Sequence, residues 1–242
     1  MRVLDLFSGI GGFSLGLERA GMQTVAFCEI DPYCRAVLRK HWPHVPCYED
    51  IRELTADRLA ADGIKCNVIC GGFPCQDISF AGAGAGIGGE RSGLWREYAR
   101  LIGEIRPRFV IVENVAALLG RGMGRILGDL AGIGYDAEWS VVSACSVGAP
   151  HVRRRVFIVA YPNSQHGQTR LWDSFAREGR ALQESDGSPR PRACWKARLE
   201  NASELYRGAD GLPHGLDRNK AIGNAIVPQI PEMIGRAIME IA

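Results

Sequence analysis

The amino-acid sequence predicts an α/β fold: a doubly wound, mostly parallel sheet carrying a small loop-rich insertion. Three observations carry that expectation. Short apolar runs recur with stretches of ten or more residues between them, the length a helical crossover between parallel strands needs. A glycine-rich turn directly follows the first of these runs, as at the strand-to-helix junction of a nucleotide-binding unit. The regular pattern breaks once, after Tyr161, and returns before the end of the chain. At 242 residues there is room for one such domain with a substantial core, and not for two of ordinary size.

In chain order, Val3 to Phe7 reads as a short buried strand and Ser8-Gly9-Ile10-Gly11-Gly12 as the turn after it. The apolar positions Phe13, Leu15, Leu17 and Ala20 suit a helix that Gly21 stops. Gln23 to Cys28 is a second strand, and Pro32 then opens an amphipathic helix running to Trp42. Val68-Ile69-Cys70, Phe109 to Val112 and Arg155 to Ala160 are further buried strands. From Pro162 to about Arg207 the chain is rich in Ser, Gly, Gln, Arg and acids, without helical or strand period. Order returns at Lys220, and Gln229 to Ile241 carries Ile230, Met233, Ile234, Ala237, Ile238 and Ile241 on one side of a helix. The expected organisation is a main domain over 1–161, an insertion over 162–211 and a returning segment over 212–242.

Composition excludes several classes. Hydrophobic residues at 46% and charged residues at 23% exclude a disordered chain or a fibre. No apolar run approaches the roughly 18–20 residues of a membrane helix, and Asp5 comes too early for a signal-peptide core. Eight cysteines without paired C-x-x-C modules read as free thiols in a reducing compartment, so a soluble cytoplasmic protein is expected. The net charge of +2 does not by itself identify a nucleic-acid partner. Of the 29 basic residues only Lys40, Lys65, Lys196 and Lys220 are lysine. Arginine's planar fork suits phosphate and guanine, although a GC-rich genome produces the same bias.

The glycine turn lets backbone N–H groups and a helix N-terminus approach a ligand, and its spacing is not the G-x-G-x-x-G of a dinucleotide site. Glu29 ends the second strand, where an acid suits the hydroxyls of a ribose. Asp50 follows a third expected strand, where it suits an adenine amino group. Singly, the glycines also fit an ordinary tight turn and the acids surface caps. Together, at the carboxyl ends of successive strands, they outline an adenosyl-ligand site.

Gly72-Phe73-Pro74-Cys75-Gln76 leaves a buried strand and sets Cys75 at its carboxyl end. A thiol there becomes a nucleophile where a helix N-terminus or arginines raise its thiolate fraction. A buried structural role is the alternative, and is the role expected of Cys28, Cys66, Cys70 and Cys145. Glu113 leaves an apolar strand, where desolvation raises a carboxyl pKa and equips the group to donate a proton. In His151-Val152-Arg153-Arg154-Arg155, alternation sends Arg153 and Arg155 to one side and Arg154 to the other. A solvated basic edge is the alternative there.

In this order the motifs resemble those of the DNA (cytosine-5) methyltransferases. The carriers are Asp5-Leu6-Phe7-Ser8-Gly9-Ile10-Gly11-Gly12, Glu29-Ile30-Asp31, Asp50-Ile51, Gly72-Phe73-Pro74-Cys75-Gln76, Glu113-Asn114-Val115, Arg153-Arg154-Arg155-Val156-Phe157 and Ala221-Ile222-Gly223-Asn224-Ala225-Ile226-Val227-Pro228-Gln229. The co-occurrence of Pro-Cys-Gln, Glu-Asn-Val and Gly-Asn-Ala makes the resemblance specific, and it covers residues 1–160 and 212–242. It implies a Rossmann-like S-adenosylmethionine-dependent methyltransferase fold, with catalysis and cofactor binding in 1–161 and target recognition in 162–211. It implies S-adenosylmethionine as methyl donor without a metal, double-stranded DNA as partner, no membrane, and chemistry on a flipped-out cytosine.

By the same resemblance, Cys75 would add to carbon 6 of the base and Glu113 would protonate or hydrogen-bond ring nitrogen 3. Arg153 and Arg155 would hold the cytosine carbonyl and the nearby backbone. Phe7, Gly9 and Gly11 would line the methionine and ribose, Glu29 would take the ribose hydroxyls, and Ile30 would pack on the adenine. Asp50 and Ile51 would read its edge, while Pro74, Leu94, Asn224 and Ala225 would complete the pocket. The helix after Gly223 would return beside the first motif.

Two departures stand out. His151 occupies a position where the family usually has glutamine. The recognition region, between Tyr161 and about Leu212, is far shorter than the family's usual one. Each base-edge pair contributes roughly 1–3 kcal/mol of discrimination, so a short recognised site or help from a partner protein is expected. Within the region, Arg190 and Arg192, and arginines near Trp172 and Trp195, are the expected DNA contacts. Methylation of an RNA cytosine and a non-catalytic binding protein are the competing readings. The presence of Cys75, Glu113, Arg153 and Arg155 together weighs against the second.

Overall fold

The computed structural model describes residues 1–74, 93–149, 151–165, 171–176 and 225–242. Its strands are β1 (Arg2–Leu6), β2 (Gln23–Cys28), β3 (Cys47–Tyr48), β4 (Val68–Gly71), β5 (Phe109–Val115), β6 (Tyr135–Ser143) and β7 (Arg154–Pro162). The helices that frame them are α1 (Gly12–Arg19), α2 (Pro32–His41), α3 (Ala56–Ala61), α4 (Gly93–Ile105), α5 (Leu118–Arg121), α6 (Met123–Gly132) and the C-terminal α7 (Gln229–Ile241).

The strands form one sheet in the order β3-β2-β1-β4-β5-β7-β6. Neighbours from β3 to β5 pair in parallel, whereas β7 is antiparallel to both β5 and β6. The strand expected over Arg155 to Ala160 is thus present but runs antiparallel, within a sheet that is mostly parallel as expected. Residues 144–153 are too few for a helical crossover, so the chain reverses after β6 and returns between β5 and β6. The reversal matters for function. It delivers the first residues of β7 to the sheet edge where β4 and β5 end.

Helices cover both faces, as the doubly wound expectation required. On one face Leu4, Leu6, Ile69, Val110 and Val112 pack with Trp95, Tyr98, Leu101 and Ile102 of α4 and Ile126 and Leu130 of α6. On the other, Val3, Val68, Phe109 and Ile111 pack with Phe13 and Leu17 of α1 and Ile230, Ile234 and Ile238 of α7. The C-terminal helix thus returns to the first motif, and Arg19 lies 3.8 Å from Glu232 across that contact. Leu17 is fully buried there, where truncation to alanine costs about 2–5 kcal/mol.

Helix starts follow from local chemistry. At α2, Pro32 occupies the first turn and the Asp31 carboxylate accepts from the backbone N–H groups of Tyr33 and Cys34 at 2.9 and 3.2 Å. Arg39, Lys40 and His41 in its last turn complement the helix dipole. At α1 the cap residue is Gly11, which has no side chain to offer, and Asp5 of β1 takes the role instead. Its Oδ2 accepts from Ser14 Oγ at 2.7 Å and from Ser14 N at 3.3 Å. Cys28 and Cys70 are buried as expected, while Cys66 and Cys145 are only half-buried, a correction to their sequence reading. Among the described residues no helix is long and apolar enough to cross a membrane.

Candidate active site

The candidate residues gather along one edge of the sheet, at the carboxyl ends of β1 to β5 and the start of β7. The sheet order puts β4 between β1 and β5. The chain leaving β4 toward Cys75 therefore starts between the glycine loop and Glu113, at the point where strand order reverses and α/β sheets open a crevice.

The glycine loop is sharply folded. Phe7 and Gly9 adopt positive φ of 51° and 53°, and Gly11 one of 86°. A side chain at Gly11 would be both strained and obstructed, because its Cβ would lie 2.6 Å from the Trp42 ring. Trp42 is itself anchored, with Nε1 donating to the Glu18 carboxylate at 2.9 and 3.0 Å and the ring edge-on to Phe27. Glu29, at the end of β2, accepts from Gly9 N at 2.7 Å through one oxygen and from Asp31 N at 2.8 Å through the other. Each carboxylate oxygen keeps lone-pair capacity for a further donor, such as a ribose hydroxyl. Ile30 beside it is 60% exposed, an apolar side chain left open at the edge where an adenine face would lie.

Asp50 is held by its own neighbour. Arg52 donates from its backbone N at 2.9 Å and from Nε and Nη2 at 3.0 and 2.5 Å, which keeps the Asp50 carboxyl below its ordinary pKa. The side chain of Ile51 is buried in the core, which leaves its backbone as the part of the residue that a ligand can meet. Beneath the loop, Asp5 is fully buried, and burial pushes its pKa up to about 7 against the lowering effect of the Ser14 hydrogen bonds. The Cys70 thiol, opposite Asp5 in the β1–β4 register, is driven higher by burial and by that carboxylate.

The other half of the edge is charged. Arg155 Nε lies 2.9 Å from Glu113 Oε1. Burial raises the Glu113 pKa, and Arg155 and Arg153 oppose the rise without cancelling it. Arg153 is itself lowered by burial and by the nearby Arg155 charge. Both arginines thus act on the same carboxyl, as alternation predicted. Gly72 passes directly over Glu113, and a Cβ there would sit 2.6 Å from Oε2, so the residue before Phe73 cannot carry a side chain without displacing the acid. Asn114 Nδ2 donates to the Phe73 carbonyl at 3.0 Å.

Phe7, Gly9, Gly11, Glu29, Ile30 and Asp50 therefore line the ends of β1 to β3, and Glu113, Arg153 and Arg155 those of β5 and β7. Pro74 is exposed at the exit from β4, and Leu94 is half-buried at the start of α4. Ala225 is half-buried ahead of α7. Cys75, Asn224, Arg190, Arg192 and Trp195 lie outside the described residues. Trp172 packs edge-on to Phe175, and its buried Nε1 has no hydrogen-bond partner among the described residues. Sequence reading gave no site role to Trp42, Arg52 or Trp95, and it read Asn114 only as part of a motif. A ring at the C-cap of an amphipathic helix was the available signal for Trp42, and the spacing Trp95, Tyr98, Leu101, Ile102 was the signal for α4.

The donor set fits an adenosyl ligand with a positively charged methyl donor. A carboxylate with spare acceptor capacity, an open apolar side chain and a second carboxylate lie in series, beside a helix start whose loop is shaped by glycine.

The C-5 cytosine-specific DNA methylase family matches residues 1–188. A Bacillus subtilis relative, type II methyltransferase M2.BsuMI, is 39% identical over 168 residues, covering 66% of this chain and 42% of that protein. Type II methyltransferase M.AquIA of Picosynechococcus is 30% identical over 205 residues, covering 73% of this chain and 83% of the relative. A crystal structure of a protein encoded within an Escherichia coli prophage superposes with a TM-score of 0.57 at 30% identity, covering 68% of this chain and 47% of the other. The chain thus spans less than half the length of M2.BsuMI and of the prophage protein. With the family match spanning most of the sequence, and the Glu113–Arg155 edge beside the glycine loop, this chain belongs to the C-5 cytosine-specific DNA methylases.

Proposed function

We propose that the chain transfers a methyl group from S-adenosylmethionine to carbon 5 of a cytosine flipped out of double-stranded DNA, through a covalent adduct on Cys75. The observation that carries the reading is the Glu113–Arg155 pair, 2.9 Å apart and directly beside Gly72, three residues before Cys75. In this reading residues 1–161 bind cofactor and perform catalysis, 162–211 contact the target, and 212–242 brace the first motif. A cytoplasmic setting alongside restriction-modification systems suits the type II relatives.

Carbon 5 of cytosine is a poor nucleophile, so the ring must be activated first. The Cys75 thiolate adds to carbon 6, and the displaced ring electrons make carbon 5 an enamine carbon. Glu113, whose burial favours the protonated form, donates to ring nitrogen 3 as negative charge develops there. Arg155 and Arg153 hold the cytosine carbonyl and keep Glu113 turned into the site. When bound, S-adenosylmethionine supplies the electrophilic methyl group that carbon 5 takes up. A water then removes the carbon 5 proton, Cys75 is expelled as the thiolate, and ring nitrogen 3 returns its proton to Glu113, which restores the ring. Glu29 would take the ribose hydroxyls, Ile30 the adenine face and Asp50 the adenine amino group, which requires the Arg52 side chain to yield part of its grip.

The test is Cys75→Ala in the full chain, assayed with tritiated methyl donor on duplex DNA and on RNA. Methyl transfer to duplex DNA should disappear while S-adenosylmethionine binding survives. DNA containing 5-fluorocytosine, whose fluorine does not leave as a proton does, should trap a denaturant-resistant adduct on Cys75. An adduct on another cysteine, or full activity in the variant, overturns the mechanism. Transfer to RNA alone selects the competing substrate.

A further inference from the structure

We propose that Asn114 is a positioning residue of the reaction: its side-chain amide fixes the Phe73 carbonyl and so sets where the chain departs toward Cys75 relative to Glu113. The inference rests on the reading of Cys75 as nucleophile and deepens it.

The observations are geometric. Asn114 is 2% exposed and uses both ends of its amide. Nδ2 donates to the Phe73 carbonyl at 3.0 Å, and Oδ1 accepts from Val115 N at 2.8 Å. The second bond fixes the amide's orientation, so the first is directed at a single place. Phe73 is held a second time by its ring, which is buried 5.3 Å from Trp95, and Trp95 is tied by Nε1 to Asp129 at 2.9 Å. Gly72, on the other side of Phe73 from Pro74, lies against Glu113 Oε2. The residue two before the proposed nucleophile is thus bonded to the neighbour of the proposed acid.

Asparagine suits the place because the site needs one donor and one acceptor at fixed separation. An ionised aspartate cannot donate to Phe73, and a serine hydroxyl is too short to reach it while serving Val115. A buried amide that only satisfied a backbone carbonyl would affect folding and nothing else. A positioning amide would affect turnover, since misplacing a reacting group by about 1 Å costs on the order of 10²-fold.

The experiment compares the full chain with Asn114→Asp and Asn114→Ser. It reads methyl transfer to duplex DNA, thermal unfolding, and iodoacetamide labelling of Cys75 against Cys145 as internal reference. In Asn114→Asp, kcat should fall by about 10²-fold near pH 8, with KM for S-adenosylmethionine changed less than about threefold. The deficit should shrink toward pH 6, because a carboxyl this deeply buried takes up a proton readily and can then donate to Phe73. Asn114→Ser should show the deficit at both pH values. Both variants should change the labelling rate of Cys75 near pH 8 and leave Cys145 unchanged. A deficit independent of pH in Asn114→Asp, or unaltered Cys75 labelling, overturns the proposal. Should the parent transfer no methyl group to DNA, the functional reading fails, and the labelling comparison alone upholds or overturns the positioning role. If one variant does not fold, the other decides by the same readings.

Discussion

The two halves of the site are held by different physics. At the ends of β1 and β2 the polar partners are mostly backbone: Gly9 N and Asp31 N on Glu29, within a loop bent by positive φ. At the ends of β4, β5 and β7 they are mostly side chains from distant positions: Arg155 on Glu113, and Asn114 on Phe73. The first half, proposed to bind the cofactor, is therefore a shape, complete once the local chain has turned. The second half, proposed to hold the base, is a charge balance, in which burial and two guanidinium groups pull the Glu113 pKa in opposite directions. A shape tolerates changes in charge elsewhere, and a balance does not.

After loss of the nucleophile, the largest expected effect comes from upsetting that balance. Glu113→Gln keeps a hydrogen bond to ring nitrogen 3 but cannot give up a proton there, and kcat should fall by about 10²–10³-fold. Because the Glu113 pKa is raised, the protonated form is populated below it and lost as pH rises through it. The parent's kcat/KM should therefore decline at high pH, and the variant should lack that limb. S-adenosylmethionine affinity should be unaltered in both. A matching loss of cofactor affinity, measured by equilibrium dialysis, would show the two halves to be one unit.

The complementary break is Glu29→Ala. It removes the acceptor that braces Gly9 N and that, in the proposed reading, takes the ribose hydroxyls, and charged hydrogen bonds contribute about 1.5–3 kcal/mol each. The dissociation constant for S-adenosylmethionine should rise by about 10–100-fold. At saturating cofactor, kcat and adduct formation on 5-fluorocytosine DNA should return to near the parent values. If saturation fails to restore kcat, the cofactor half does more than bind.

This division also explains what could be read in advance. The glycine loop, Glu29 and Asp50 were legible because each is a local pattern at a strand end, and shape-type sites are written locally. Cys75, Glu113, Arg153 and Arg155 could each be singled out from local pattern, but nothing in the spacing of 113, 153 and 155 says that Glu113 and the two arginines meet. Their meeting depends on β7 running backwards, which the apolar run Arg155 to Ala160 does not announce. β6 escaped notice because its alternation is blurred: Trp139 and Val141 are exposed at the sheet's edge, where a strand has only one partner. Asn114 was read only as part of a motif. Its role needs the Phe73 carbonyl, forty-one positions earlier in the chain, to be in reach.

The smallest expected effect on turnover sharpens the comparison most, because it moves a charge beneath the shape. Asp5 is buried like Glu113 but has no cation beside it among the described residues, and burial raises its carboxyl to about 7 from the ordinary 3.8. Below about pH 4 the group is protonated in both folded and unfolded chains and costs nothing. Between about pH 4 and 7 the unfolded chain releases the proton while the folded one retains it, so stability falls as pH rises. Above that window the penalty levels off, at no more than about 4 kcal/mol. Asn at this position keeps an acceptor for Ser14 and carries no charge. The melting temperature of Asp5→Asn should match the parent near pH 4, exceed it increasingly toward pH 7, and stay above it at pH 8. Turnover at saturating cofactor should be unchanged. A melting difference that stays flat across this range would mean that the ionised carboxylate is accommodated, with Ser14 and the first turn of α1 supplying what a cation supplies to Glu113. In that case the cofactor half, too, would be a charge balance, and the contrast between the two halves would be one of partner rather than of kind.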